Sequence, residues 1–307
     1  MFLNWLGTLP GAVAQGAIWG IMAVGVYITY KILDIADLTV DGSLCTGAAV
    51  CAIMVTSGVN VWVAMLCALI AGMITGLVTG LFHTLMGIPP ILAGILTQLM
   101  LWSVNLKIMG KANIAFSARN NKLLISTLQT NTSLIWIFVF VIVIIAILYC
   151  FFGTELGMSL RSTGNNLHMS QAQGININFT KVLGLVISNG IVALSGALLA
   201  QYQGYADINM GRGAIVIGLA AVIIGETLFS RIAKNFAVRL AGVVVGGIIY
   251  FFVYQTVIFL GLDTDLLKML SAIVVAVFLA VPYWKKKYFT KVKSTSKTNG
   301  GEVSKNA

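Results

Sequence analysis

The side chains in this sequence that could do chemistry are few and clustered. Asp34, Asp37 and Asp41 fall within eight residues of one another, between two long apolar runs. Carboxylates this close to membrane-length segments are costly unless they face water, protein or a solute, and such groups usually line a path or pair with a partner. Asp37, Thr39, Asp41 and Ser43 alternate, so an extended segment would present all four on one face. An ordinary short loop beyond the lipid headgroups is the plainer alternative. A four-residue echo follows about 170 residues later, where Tyr205-Ala206-Asp207-Ile208 matches Ile35-Ala36-Asp37-Leu38. Corresponding interrupted segments in two halves suit a transporter built from repeats, although four residues are a short match. Glu226 ends another apolar run close to Arg231, as a helix-end carboxylate or half of a local ion pair. A proton relay would need further acids inside the spans, and the sequence offers none. His83 and His168 lack ligand-spaced partners, as do Cys45, Cys51, Cys67 and Cys150, so neither metal nor disulfide chemistry is expected.

A second polar stretch runs from Glu155 to Asn178. Asn165 and Asn166 can cap a helix running to Gln173, and Gly174 stands at its C-terminal stop. The pattern predicts loop, short amphipathic helix, loop, with Leu167, Met169, Ala172 and Ile175 available for contact. A membrane-embedded chain has no use for such an insert unless something outside the bilayer reads it, or the helix simply rests on the surface.

The elements that must position these groups are membrane helices. Of 307 residues, 59% are hydrophobic and 9% charged, and the mean hydropathy is +0.96. Apolar runs of about 20 residues cross a bilayer as helices, since lipid cannot satisfy free backbone groups. The candidate spans are Gly11–Leu33, Ser43–Val59, Trp62–Leu85, Pro90–Met109, Leu134–Phe152, Val182–Tyr205, Ala214–Phe229, Arg239–Leu260 and Leu266–Tyr283. Segments as short as Ser43–Val59 could be half-helices. The fold class expected is an all-α polytopic membrane protein of about 8–10 transmembrane helices. Gly72, Gly76 and Gly80 share a helix face, as do Gly242 and Gly246, and such faces bring membrane helices close together.

The net charge is +10, yet seven of the 19 basic residues lie after Trp284, from Lys285 to Lys305. That is a positive-inside tail, 285–307, following a transmembrane domain at 1–284, and no nucleic-acid surface is expected. A cytosolic tail puts the acidic turn at 261–265 outside, and Arg231, Lys234, Arg239, Arg161 and Lys181 inside. Lys107, Lys111, Arg119 and Lys122 then fall outside, against the rule. Nine spans would put the N-terminus outside and a tenth would put it inside. Lys31 is the first positive charge, so the first span is expected to be uncleaved.

Leu160-Arg161-Ser162-Thr163-Gly164-Asn165-Asn166 with Ala172-Gln173-Gly174-Ile175-Asn176 resembles the loop pattern R-A-x-G-x-N-x-x-x-A-x-x-x-G-I. That pattern belongs to permease subunits of bacterial ABC importers in the branched-chain amino acid and ribose permease superfamily. Ser162 and Ser170 stand where the family commonly has alanine. Asp37–Ser43 and Val216–Glu226 look closer to a branch labelled as tryptophan/tyrosine transport permeases. The resemblance spans Gly11 to Tyr283. It implies a multi-pass protein of the bacterial plasma (inner) membrane, transporting an amino acid of aromatic or branched-chain type by alternating access. It also implies a cytosolic coupling helix in the loop at 155–181, with Arg161, Gly164, Asn165, Gln171, Ala172 and Gly174 coupling to an ATPase. Asp37, Thr39, Asp41, Ser43, Asp207 and Glu226 are the candidate pathway residues. The implied partners are two cytosolic ATPase subunits, an extracellular or periplasmic substrate-binding lipoprotein and a second permease copy. ATP and Mg would be bound by the ATPase and no cofactor by this chain, which has no G-x-x-x-x-G-K-[ST] phosphate loop. An ion-coupled secondary transporter is the competing class, and a sugar or nucleoside the competing cargo.

Overall fold

The computed structural model describes residues 2–116, 123–229 and 235–259, with single helical positions between 269 and 280. Arg119, Lys122, Arg231, Lys234, the acidic turn at 261–265 and the basic tail lie outside the described residues, as do 12 of the 18 residues of Leu266–Tyr283. Ten α-helices are described: α1 Phe2–Tyr27, α2 Val40–Thr56, α3 Val61–Thr84, α4 Pro90–Met109, α5 Thr130–Phe152, α6 Glu155–Asn165, α7 Leu167–Ala172, α8 Ile177–Gln203, α9 Ala214–Phe229 and α10 Phe236–Phe259. Two short strands, β1 Asn113–Ala115 and β2 Tyr205–Asp207, pair antiparallel. Six helical segments are long and apolar enough to cross a membrane.

The expected spans match α4 and α9 at both ends and the other described helices to within a few residues, apart from a longer start to α1. Between α6 and α7 the expectation needs correcting. Glu155–Asn165 is helical throughout rather than a loop, because the Thr154 hydroxyl accepts from the Gly157 N–H and starts α6 ahead of the first glycine. The strands were not expected. They form where two connections meet at one end of the bundle, with Ile114 and Ala206 buried beneath the ribbon.

Backbone contacts fix the helix directions. The Ser188 hydroxyl donates to the Gly25 carbonyl, Ser195 to Ile18 and Tyr202 to Gly11, so α1 and α8 are antiparallel. The glycine stripe of α3 lies directly on α8: Gly72 meets Asn189 and Ala193, Gly76 meets Leu185, and Gly80 meets Val182. Any side chain there would meet α8 backbone or Cβ atoms, so glycine is what permits this approach. Gly246 packs in the same way on Ala221 of α9.

Two helices do not span. The 17 residues of α2 and the 16 of α9 each rise about 25 Å at 1.5 Å per residue, short of a hydrocarbon core of roughly 30 Å. They run in opposite directions and meet near their N-termini, where Asp41 of α2 accepts hydrogen bonds from Gly213 and Ile215 N–H at 2.9 Å each. The chain reaches α2 through Asp34–Thr39, from the α6 end of α1. It reaches α9 through Ile208–Gly213, from the hairpin end of α8. A long helix, a re-entrant connection and a short helix therefore occur twice, with inverted direction.

Candidate functional site

The first connection begins at a π turn, Ile28–Ile32, that closes α1. Asp34 then takes a left-handed conformation, φ 55°, which reverses the chain and sends it back into the bundle. Asp37 is 3% exposed. Its Oδ1 accepts the Thr39 N–H at 2.9 Å, and its Oδ2 accepts from Asn189 Nδ2 at 2.7 Å. Asn189 sits midway along α8. Its Oδ1 accepts the Ser43 hydroxyl at 2.6 Å, and Ser43 shares a 2.7 Å contact with the Thr75 hydroxyl. The Thr39 hydroxyl lies 2.7 Å from that of Thr79, which donates to Thr97 at 3.0 Å. This is a buried, hydrogen-bonded polar network in the middle of the bundle, tying the connection to α2, α3, α4 and α8.

Asp37, Thr39 and Ser43 thus come together, while Asp41 turns away to cap α9. The expected extended face does not form, because α2 begins at Val40 and places Asp41 and Ser43 in its first turn. Asp207 lies in the hairpin, where Oδ1 accepts the Asn209 N–H at 2.7 Å. That turn repeats the one Asp37 makes with Thr39, so the sequence echo has a local counterpart, but Asp207 is not in the buried network. Glu226 pairs with Lys31 at 3.1 Å at the α6 end of α9, on side chains 35% and 51% exposed. Exposed pairs of this kind contribute about 0–1 kcal/mol. Glu226→Gln should accordingly leave the melting temperature of the detergent-solubilised protein within a degree or two. A large drop would show that Glu226 has a partner beyond Lys31. The six pathway candidates therefore occupy four places rather than one site.

At the other locus, α6 and α7 fold over the ends of α1, α8 and α10. The Arg161 guanidinium carbon sits 4.2 Å from the Phe236 ring centroid and 5.2 Å from that of Phe152. Partial desolvation there lowers the guanidinium pKa from its ordinary value. Gly164 lies against the Ile32 carbonyl and Leu33 with no space for a side chain. Asn166, rather than Asn165, caps α7 by accepting the Met169 N–H at 3.0 Å. Asn165 lines a cleft with Tyr27, Lys31, Arg161 and Arg239. Gly174 adopts φ 80° and closes the stop that follows Gln173. The two serines that replace the family's alanines bond each other, Ser162 to Ser170, at 2.7 Å. They lock α7 onto α6. Leu167, Met169, Gln171 and Ala172 are exposed, and Ile175 is half-buried.

Compared with known sequences, residues 9–281 match the family described as branched-chain amino acid transport system / permease component. The chain belongs to that family. It is a multi-pass membrane permease, in keeping with its six helical segments long and apolar enough to cross a membrane. It is 44% identical over 266 residues to a tyrosine transport system permease protein of Clostridioides difficile, covering 87% of this chain and 88% of that one. It is 38% identical to an uncharacterised protein of Rickettsia prowazekii (90% and 98% covered) and 25% identical to a ribose import permease protein of Escherichia coli K12 (90% and 85%). No solved structure matches the chain.

The network partners Thr75, Thr79, Thr97 and Asn189 are not apparent from the sequence alone. Asn189 carried a usable signal, as a lone amide in the middle of an apolar run. The threonines did not, because such residues commonly bond to their own helix backbone, as Thr97 also does to Ala93.

Proposed function

We propose that this permease is the membrane-spanning subunit of an ATP-binding-cassette importer. It works by alternating access, with a separate ATPase docking on α6 and α7. The observation that carries this reading is the outward face of α7. Leu167 and Met169 are 42% and 61% exposed on a helix of six residues. That helix is anchored by Arg161, Gly164 and the serine pair, a handle whose apolar side faces outward. Lys31, Arg161, Lys181 and Arg239 gather at the same end, which supports a cytosolic side for it. Lys107 at the end of α4 remains on the other side. The described helix directions put the start of α1 opposite α6, which supports an outside N-terminus.

ATP and Mg would belong to the ATPase subunits, and capture of the solute to an extracellular lipoprotein. A motor with two ATPases needs two handles, so the chain pairs with a second permease, in the simplest case a second copy of itself. The substrate class we favour is an amino acid with an aromatic side chain. The similarity to a tyrosine transport system permease supports it.

Reconstitution into vesicles with its ATPase and binding protein tests the reading. ATP-dependent uptake of L-tyrosine is the expected result, and full uptake without any ATPase would reject it. Met169→Asp places a charge on the apolar face of α7 and should abolish co-purification with the ATPase. Undiminished co-purification would move the docking surface elsewhere.

A further inference from the structure

A cleft of about 200 Å³ opens beside the point where α2 and α9 meet, lined by Asp41, Gln98, Trp102, Asn105 and Arg212. It is smaller than the roughly 300–1,000 Å³ of drug-sized pockets, and suits a solute the size of one amino acid. Three features mark it as built for a ligand. Asn105 is 1% exposed, and its Oδ1 has no hydrogen-bond partner. Buried amide oxygens are nearly always satisfied, so an orphan lining a cleft calls for a donor from outside the protein. Arg212 has no ion pair among the described residues, and its side chain is exposed. Asp41 uses its carboxylate to hold the N–H groups of Gly213, Ala214 and Ile215, yet a carboxylate keeps about four acceptor positions, and one remains.

The charges are complementary to a zwitterion. We infer that this cleft is the substrate subsite of the permease. There the ammonium group of an α-amino acid donates to Asn105 Oδ1 and Asp41, its carboxylate accepts from Arg212, and its side chain lies on Trp102. The placement fits the architecture, since transporters with inverted halves hold solutes where interrupted helices meet. In many such sites a helix N-terminus receives the substrate's carboxylate. Here the amides at the start of α9 are occupied by Asp41, which leaves Arg212 as the anion receptor. Trp102 gives an aromatic or apolar side chain a flat partner, and a sugar would leave the Asp41–Arg212 pair without matching charges.

The inference rests on the importer reading above, and one experiment separates the two. Uptake of L-tyrosine at saturating concentration is measured in vesicles carrying the full assembly, so that capture by the binding protein is not limiting. Arg212→Gln and Asn105→Leu should each lower the maximal rate about tenfold or more, as expected for losing a hydrogen bond to a charged group. Arg212→Lys should recover most of it. Co-purification with the ATPase reports whether each variant assembles, and the two positions lie on different elements, so one can carry the test if the other fails. Wild-type rates in both variants, or a Lys variant as poor as the Gln variant, would overturn the subsite and leave the importer reading standing. An unaltered assembly that imports no amino acid would overturn both.

Discussion

Replacing Gly164 with valine should cut ATP-driven uptake at least tenfold while the ATPase still co-purifies. The Gly164 backbone rests on the Ile32 carbonyl and Leu33, so an added Cβ would collide with main-chain atoms rather than with a movable side chain. Inserting atoms into such a contact costs about 1–3 kcal/mol even when the surroundings relax. Relaxation here means lifting the end of α6 away from the π turn at Ile28–Ile32. That turn continues directly into Asp34–Thr39, the connection that holds Asp37 in the buried network. On the importer reading proposed above, a push on α7 would reach the bundle centre along a short route. It passes through the Ser162–Ser170 bond into α6, is steadied by Arg161 between Phe152 and Phe236, and enters the π turn at Gly164. Lifting α6 breaks that route at its narrowest point and leaves the docking face of α7 intact. Gly164→Ala should fall between the parent and the valine variant. Uptake that tracks neither side-chain size nor the order Gly, Ala, Val would rule out this contact as the transmitter.

Local signals in the sequence located most of the scaffold and one of the two loci. Pro90 opens α4, and the left-handed Gly110 closes it, which is why its bounds could be read directly. The caps of α7 were legible for the same reason, since Asn166 and Gly174 act within a few residues of themselves. The central network was only half legible. The acids and hydroxyls of 37–43 stood out against apolar neighbours, but alternation gave the wrong geometry because Val40 starts a helix. Their partners lie on α3, α4 and α8, and no local pattern reports a contact between Asp37 and Asn189 across 152 positions. The pairing of Glu226 with Lys31 was hidden by the same separation. Inverted repetition was visible only as a four-residue echo in which the alanine and the aspartate are identical. What the two halves share is backbone path, and sequence can drift widely beneath a conserved path so long as apolar length and re-entry are kept.

The second large effect should come from Asp37 and distinguishes a buried hydrogen-bonding role from a charge role. Asp37→Leu removes both acceptors at once, leaving the Thr39 N–H and one Asn189 N–H unpaired in a buried site. Each orphaned donor costs about 1–3 kcal/mol, so the variant should melt many degrees lower in detergent or fail to accumulate. Asp37→Asn should be far milder. It keeps one acceptor for Thr39, and its own N–H can be received by Asn189 if that amide turns over. The turn would present Asn189 Nδ2 to Ser43, whose hydroxyl can accept because it can donate to Thr75 instead. The network can therefore re-orient by a rotation, at the cost of one hydrogen bond, that from Asn189 Nδ2 to the Leu185 carbonyl. Asn189→Leu tests the same logic from the other side. It deprives the Asp37 carboxyl group of one of its two donors, and a buried acceptor left unpaired in this way costs about 1–3 kcal/mol. The expected order of stability is parent, Asp37→Asn, then the two leucine variants well below. If Asp37→Asn were as unstable as Asp37→Leu, a negative charge at position 37, rather than its two accepted hydrogen bonds, would be what the bundle requires.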